Sequence, residues 1–357
     1  MYNGDNHMTL TETAALTKKS FVILFILIFL ATAAFIGYKI WYANYLANLP
    51  KVEEKPNLAF GTLPSLDLPP SVVSSSNYSY TIDTPTGKLP EFDKLIKVYF
   101  MPKAAATLLS GDRSIALANK LGVNEPPQIL SEISYKFATS SGQILDVSLD
   151  TGNFKFTKDA TMSANLAKLD DETKLSSGFK NLLSEIGVLN EELVAGPNKI
   201  TYYKFFVDRL IPTTVTDAEV AQIALWPGEI DQKPIVTGNL TGSLVYGLFD
   251  KTANVKNLLK LDFTFWPVDQ TSFATYPLKT AEQAFSELQN GGGTVIQESA
   301  TPAVSITDLN LGYFESEKYT PYLQPVYIFT GPSFTAYLPA IQNSTASNQA
   351  TDSAIAR

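Results

Sequence analysis

The clearest hydrophobic pattern in the chain is an uncharged run from Phe21 to Tyr38, flanked by Lys18-Lys19 and Lys39. As a helix rising about 1.5 Å per residue it spans about 27 Å, close to the hydrocarbon thickness of a bilayer. The run continues into Tyr38, Trp41, Tyr42 and Tyr45, aromatics of the kind that collect at a membrane interface. A cleaved signal peptide has a shorter apolar core of about 7–15 residues. Residues 20–42 are therefore read as a retained transmembrane helix, and residues 1–19 as a short cytoplasmic tail. Everything large enough to fold follows the span, which predicts a single-pass protein of the cytoplasmic membrane with its C-terminal body outside.

Beyond the span the pattern changes twice. Residues 43–77 carry Pro50, Pro56, Pro64, Pro69-Pro70 and Ser74-Ser75-Ser76 without a sustained apolar period, which reads as an extended stalk, although Leu58 to Phe60 and Leu63 have docking character. Residues 341–357 are polar and unpatterned and read as a disordered tail. Between them, helical spacing places Phe92, Leu95, Ile96, Tyr99 and Phe100 on one stripe, Phe179, Leu182, Leu183 and Ile186 on a second, and Ala281, Ala284, Phe285 and Leu288 on a third. The third opens with the capping box Thr280-Ala-Glu-Gln283 and is followed by Gly291-Gly-Gly293. A weaker helix covers Arg113 to Leu121, before Gly122.

Alternation predicts strands at Ile133–Phe137, Leu145–Leu149, Leu259–Phe265, Leu309–Tyr313, Val326–Phe329 and Phe334–Leu338. Thr216 to Glu219 reads as a short helical turn leading into a hairpin through Val220–Trp226 and Ile235-Val236. Helices thus alternate with groups of strands. This predicts an α+β fold, antiparallel sheets with helices packed on one face, in two lobes covering residues 78–165 and 166–340.

Composition narrows the chemistry. The chain has 357 residues, one His and no Cys, which excludes Ser-His-Asp and Cys-His nucleophiles, His/Cys zinc clusters and disulfides. No metal or cofactor is expected. Lys+Arg 27 against Asp+Glu 35 gives −8, and the charges outside residues 78–340 cancel, so the excess belongs to the body. That balance argues against a nucleic-acid groove.

Short catalytic patterns have simpler readings. Asp150-Thr-Gly152 matches an aspartic-protease core, but Asp83-Thr-Pro-Thr-Gly87 is no matching second loop, so a hairpin turn is expected at Asp150–Asn153. Ser177-Gly-Phe-Lys180 has the Ser-x-x-Lys spacing without its Lys-Thr-Gly companion, and Ser177 reads as a helix cap. Neither Thr84-Pro-Thr-Gly-Lys88 nor Gly291-Gly-Gly293 precedes a helix as a phosphate loop must. No catalytic residue is assigned. The aromatics are better candidates, since Tyr and Trp combine large area with a polar handle. Tyr319 and Tyr322, beside Glu317, Lys318 and Pro321, form the expected exposed contact patch, with Trp226 and Trp266 as further protein-contact candidates.

The last third carries a resemblance. Tyr276-Pro-Leu-Lys-Thr280, the helix Ala281–Leu288, Ile306 to Tyr313 and Leu323-Gln-Pro-Val-Tyr-Ile-Phe-Thr-Gly331 together resemble the YycH/YycI family of membrane-anchored bacterial regulators and, more loosely, PepSY-type modules. Phe60-Gly-Thr-Leu-Pro64, Thr84 to Pro90 and Leu323 to Tyr327 are similar to uncharacterised single-span proteins of uncultured bacteria. The resemblance implies an extracytoplasmic body that contacts a sensor histidine kinase and carries no catalytic residue. The expected function is binding of another envelope or membrane protein. The alternatives are an envelope hydrolase, requiring two carboxylates roughly 5–10 Å apart in a cleft, or a structural spacer between membrane and wall.

Overall fold

The computed structural model describes residues 10–47, 55–71, 73–158, 168–207, 209–240 and 242–342. The expected tail with His7, the start of the stalk at 48–54, the break at 159–167 and the C-terminal tail from 343 lie outside them. The chain divides into two compact units that meet in sequence at Lys55 and Pro56.

The first unit is helix α1 (Leu10–Ala47), 38 residues long, with one membrane-length apolar span at Ile23–Tyr42. The apolar side chains of that span are exposed all round, as a helix needs when its solvent is lipid. Thr32 donates its hydroxyl to the Ile28 carbonyl at 2.7 Å, so no polar group of that side chain is left bare. Tyr38 stacks on Tyr42 at 5.9 Å and Trp41 on Tyr45 at 5.7 Å, a ladder at i,i+4 spacing.

The second unit opens with strands β1 (Ser79–Ile82) and β2 (Leu95–Phe100), helix α2 (Ser110–Lys120), and strands β3 (Gln128–Ser131), β4 (Ser134–Ala138), β5 (Gln143–Ser148) and β6 (Phe154–Lys158). Helices α3 (Glu172–Ile186) and α4 (Glu191–Ala195) lead to β7 (Asn198–Phe206), β8 (Arg209–Pro212), β9 (Val220–Leu225), β10 (Ile235–Val236), β11 (Val245–Phe249), β12 (Leu258–Phe263) and β13 (Asp269–Pro277). Helix α5 (Ala281–Gln289) and strands β14 (Thr294–Gln297), β15 (Ala303–Ile306), β16 (Asp308–Phe314), β17 (Tyr322–Gly331) and β18 (Phe334–Pro339) complete it.

The architecture is α+β, built on two large sheets. The first is antiparallel, in the order β3-β4-β5-β6-β12-β11-β9-β7-β8. Helices α2 and α3 cover one face, where Leu117 and Leu121 join Leu175, Phe179, Leu182, Leu183 and Ile186 against Phe137, Phe156, Ile223 and Leu261. Each fully buried Leu or Phe there is worth roughly 1.5–3 kcal/mol. The second sheet runs β10-β16-β17-β18-β14, with β2 pairing both β17 and β13. Helix α5 packs Ala281, Ala284 and Leu288 against Leu309, Tyr327, Phe329 and Phe334. Its capping box forms as expected, Thr280 accepting from the Gln283 N–H and Gln283 from the Thr280 N–H.

Several expectations change. The stripe from Phe92 to Phe100 is not a helix. Leu95–Phe100 is strand β2, because its β-branched and aromatic residues complete hydrogen-bonded ladders with β13 and β17, while Phe92 meets the Tyr327 ring edge-on at 5.3 Å. Ser177 is not a cap: Leu175 extends the buried stripe, the helix begins earlier, and Asp171 caps it by accepting from the Lys174 N–H at 2.9 Å. Strands β9 and β10 form no hairpin together. β9 pairs with β7 and β11, whereas β10 runs parallel to β16 in the other sheet. The division at 165 does not follow the sheets either, since β6 pairs directly with β12.

The stalk is corrected from Pro56 onward. Residues 56–71 lie as a strap on the body: Phe60 stacks on Tyr322 at 4.7 Å, Tyr276 donates to the Gly61 carbonyl at 2.9 Å, and Gln324 donates to the Pro64 carbonyl at 2.9 Å. Leu66 and Leu68 pack beside Phe314, Val326 and Tyr337. Prolines give such a segment no ladder donors, so it is held by side-chain knobs and by its carbonyls.

Candidate functional site

Where the ends of β9 and β12 meet β10, β16 and β17, the two sheets enclose a cleft of about 320 Å³. Close approach of the chain builds one wall. After α4, Gly196 lies so near the Trp226 carbonyl that a β-carbon there would overlap it. The Trp226 N–H donates to the Pro197 carbonyl at 3.0 Å, and the Gly228 N–H to the Glu192 carbonyl at 2.9 Å. Pro227 and Gly228 are thereby held against α4, with Glu191 and Glu192 at the opening.

A tight turn carries the next wall. Ile230 and Lys233 face each other across Asp231-Gln232, whose φ angles of 49° and 58° are left-handed at both positions. That geometry favours Gly, Asn or Asp, so Asp231 suits its position and Gln232 does not. Anchors compensate: Tyr99 donates to the Asp231 carboxylate at 2.5 Å and Lys97 pairs with it at 3.1 Å. Burial acts to raise the Asp231 carboxyl, but the hydrogen bonds from Tyr99 and Lys97 and the nearby lysine charges overcome it and hold it below the usual range. Burial, together with the Asp231 contact, pushes the Tyr99 phenol above its ordinary value.

The floor follows β12. Asn153, on the Asp150–Asn153 turn between β5 and β6, accepts from the Phe265 N–H at 3.0 Å. Trp266, 7% exposed, donates its indole N–H to the Ser316 carbonyl at 2.9 Å and meets the Tyr319 ring edge-on at 5.5 Å. Beside them lies Glu315, 4% exposed. Burial pushes its carboxyl up to about 8, opposed only by a hydrogen bond from the Trp266 main-chain N–H. Among the described residues no ion pair is formed by Glu315, and no Lys or Arg lines the cleft. Glu191, Glu192 and Glu229 stand exposed around it, so an interior acid raised by burial faces a rim of carboxyl groups.

The contact candidates end in different places. Trp266 lines the cleft and Tyr319 buttresses it from behind, its hydroxyl donating to the Met101 carbonyl at 2.8 Å. Trp226 precedes the Pro227 wall without lining the cleft. Tyr322 stacks under the strap on Phe60. Tyr319 and Tyr322 are half-buried against their own chain, so they do not form an open patch. The loop prolines and charges around them suggested exposure, but the β2 terminus and the strap cover the rings.

The catalytic patterns dissolve into structure. Asp150 sits on the expected hairpin turn and pairs with Lys103 at 3.0 Å. Ser177 donates to the Thr173 carbonyl at 2.8 Å and Lys180 to the Val194 carbonyl at 3.1 Å. Alternation does not single out Glu315: Leu309, Leu311 and Tyr313 turn inward, but from Gly312 onward both phases are buried, Phe314 and Ser316 included. Nothing in the sequence marks Glu191, Glu192 or Glu229, which the fold gathers from separate segments.

No family model matches the chain, and no curated protein matches it. Among solved structures, the chain is similar to an uncharacterized protein from Eubacterium rectale, with 13% identity, a TM-score of 0.38, and coverage of 73% of this chain and 86% of that one. It is also similar to the Bacillus megaterium YpeB C-terminal domain, with 9% identity, a TM-score of 0.31, and coverage of 68% and 100% respectively.

Proposed function

We propose that this is a single-pass membrane protein whose body, outside the cytoplasm, binds another envelope or membrane protein and catalyses no reaction of its own. One observation carries the reading: a chain with a membrane-length apolar helix also folds a body whose inter-sheet cleft has an aromatic floor and carboxylates, features suited to noncovalent recognition. The YycH/YycI resemblance of the last third makes a sensor kinase the first partner to test. A photo-crosslinking residue at Gln270, on the cleft, is expected to capture one defined membrane protein in native membranes, and one at Glu185 on α3 is not. Recovery of the isolated chain alone from both positions would refute the reading.

The orientation is testable directly because the chain contains no cysteine. In intact cells a membrane-impermeant maleimide is expected to label Ser184→Cys, while Thr11→Cys is labelled only after permeabilisation. The reverse pattern overturns the topology.

The cleft also supports a second reading. A carboxyl raised by burial in a cleft that also holds other carboxyl groups is the kind of set from which glycoside hydrolases draw an acid and a base. Release of sugars from cell-wall glycan that disappears in Glu315→Gln would establish the hydrolase reading in place of the first.

A further inference from the structure

Glu315 is costly as it stands. A carboxyl taken out of water without a cation is normally paired or neutralised, and this one, 4% exposed, lines a cleft and forms no ion pair among the described residues. We infer that the cleft receives an arginine side chain from a peptide segment of the partner, its guanidinium paired with Glu315 and lying against Phe265 and Trp266. This deepens the binding reading above and rests on it.

Three features select the occupant. The charge is complementary, because the described lining contains carboxylates and no basic group. The aromatic floor beside an acid suits a planar, weakly hydrated cation, which stacks and pairs through a bidentate fork where an ammonium cannot. The volume lies at the small end of ligand pockets, room for one long side chain instead of a folded element. The rim selects the source. Free arginine carries a carboxylate that would face Glu191, Glu192 and Glu229, whereas an internal peptide residue presents neutral amides there.

Because burial raises the Glu315 carboxyl, pairing with a guanidinium draws it to the carboxylate and releases a proton to the buffer. The groups around it are Glu191 and Glu192 on α4, Glu229 after β9, Glu317 and Lys318 on its own segment, and Asp67 on the strap.

The test is titration calorimetry on the full chain in detergent micelles at pH 7, with the capped peptide Gly-Ala-Arg-Ala-Gly as probe. Its citrulline analogue has the same shape without charge, and free arginine is the third arm. The arginine peptide is expected to bind at least about tenfold more tightly than either. Glu315→Gln should reduce that affinity by at least about tenfold, Glu185→Gln should leave it unchanged, and the observed heat should vary with the buffer's ionisation enthalpy. Equal binding of the arginine and citrulline peptides, no binding by either, or an unaffected Glu315→Gln variant overturns the assignment. If such a failure accompanies capture of a partner from Gln270, the cleft assignment falls and the interaction reading stands. Failure of both removes both.

Discussion

The substitution Glu315→Gln tests the electrostatics of the cleft without disturbing its shape, since glutamine is nearly isosteric with the protonated acid and keeps an oxygen for the Trp266 N–H. In the folded chain the carboxyl is raised from the ordinary 4.5 to about 8, so between those values the native state holds a proton that the unfolded chain has released. The unfolded state then binds fewer protons, and stability falls as pH rises. The contribution is complete below about 4.5 and is lost as the pH climbs to about 8. At pH 7, with 1.36 kcal/mol per pH unit, the loss is about 3 kcal/mol relative to acid conditions. The glutamine variant has no proton to lose. Urea unfolding of the full chain in micelles at pH 5, 7 and 9 should therefore show near-equal stabilities at pH 5 and a variant more stable than wild type by about 3 kcal/mol at pH 7, with the gap widening at pH 9. Other titrating groups are common to both proteins and cancel in the difference. Parallel profiles for the two proteins would show that Glu315 titrates as an exposed acid, and the account of the buried carboxyl would be wrong.

Three further substitutions probe how the cleft and its surroundings are held. Gly196→Ala forces a β-carbon into the Trp226 carbonyl, and thermal unfolding should register a loss of about 3 kcal/mol or more, with the Pro227 wall displaced. Gln232→Gly places a residue indifferent to positive φ in a left-handed position, so it should stabilise the turn by roughly 1 kcal/mol, read as a raised denaturation midpoint. Phe60→Ala removes the ring that covers Tyr322 and should cost about 1–2 kcal/mol, with faster hydrogen exchange at the Tyr276 and Gln324 contacts of the strap. A free spacer would show no change in either measurement.

Much of the fold was readable wherever one physical requirement dominated. The membrane-length helix followed from an unbroken apolar run, α5 from its capping box and apolar stripe, β16 from the alternation of Leu309, Leu311 and Tyr313, and β17 and β18 from short apolar runs. Phe92 to Phe100 failed because its spacing satisfies both periods, and hydrogen bonds to β13 and β17 chose the strand. The strap was signalled only by the docking character of Leu58 to Phe60 and Leu63, because prolines and serines set its average composition. Phe60, Leu63 and Leu66 nonetheless recur every three residues, the repeat of an extended polyproline-type segment.

The candidate site divides along the same line. The sequence by itself determined that chemistry in the body has neither histidine nor cysteine to draw on, that a membrane-length helix precedes it, and that Trp266 is a candidate contact residue. Only the tertiary structure decided that Glu315 is buried beside Trp266, that Tyr319 and Tyr322 are covered, and that Glu191, Glu192 and Glu229 gather around one opening. Periodicity reports which face of an element turns inward. What that face meets depends on pairings between strands far apart in the chain, β6 with β12 and β2 with β17, which no local pattern encodes.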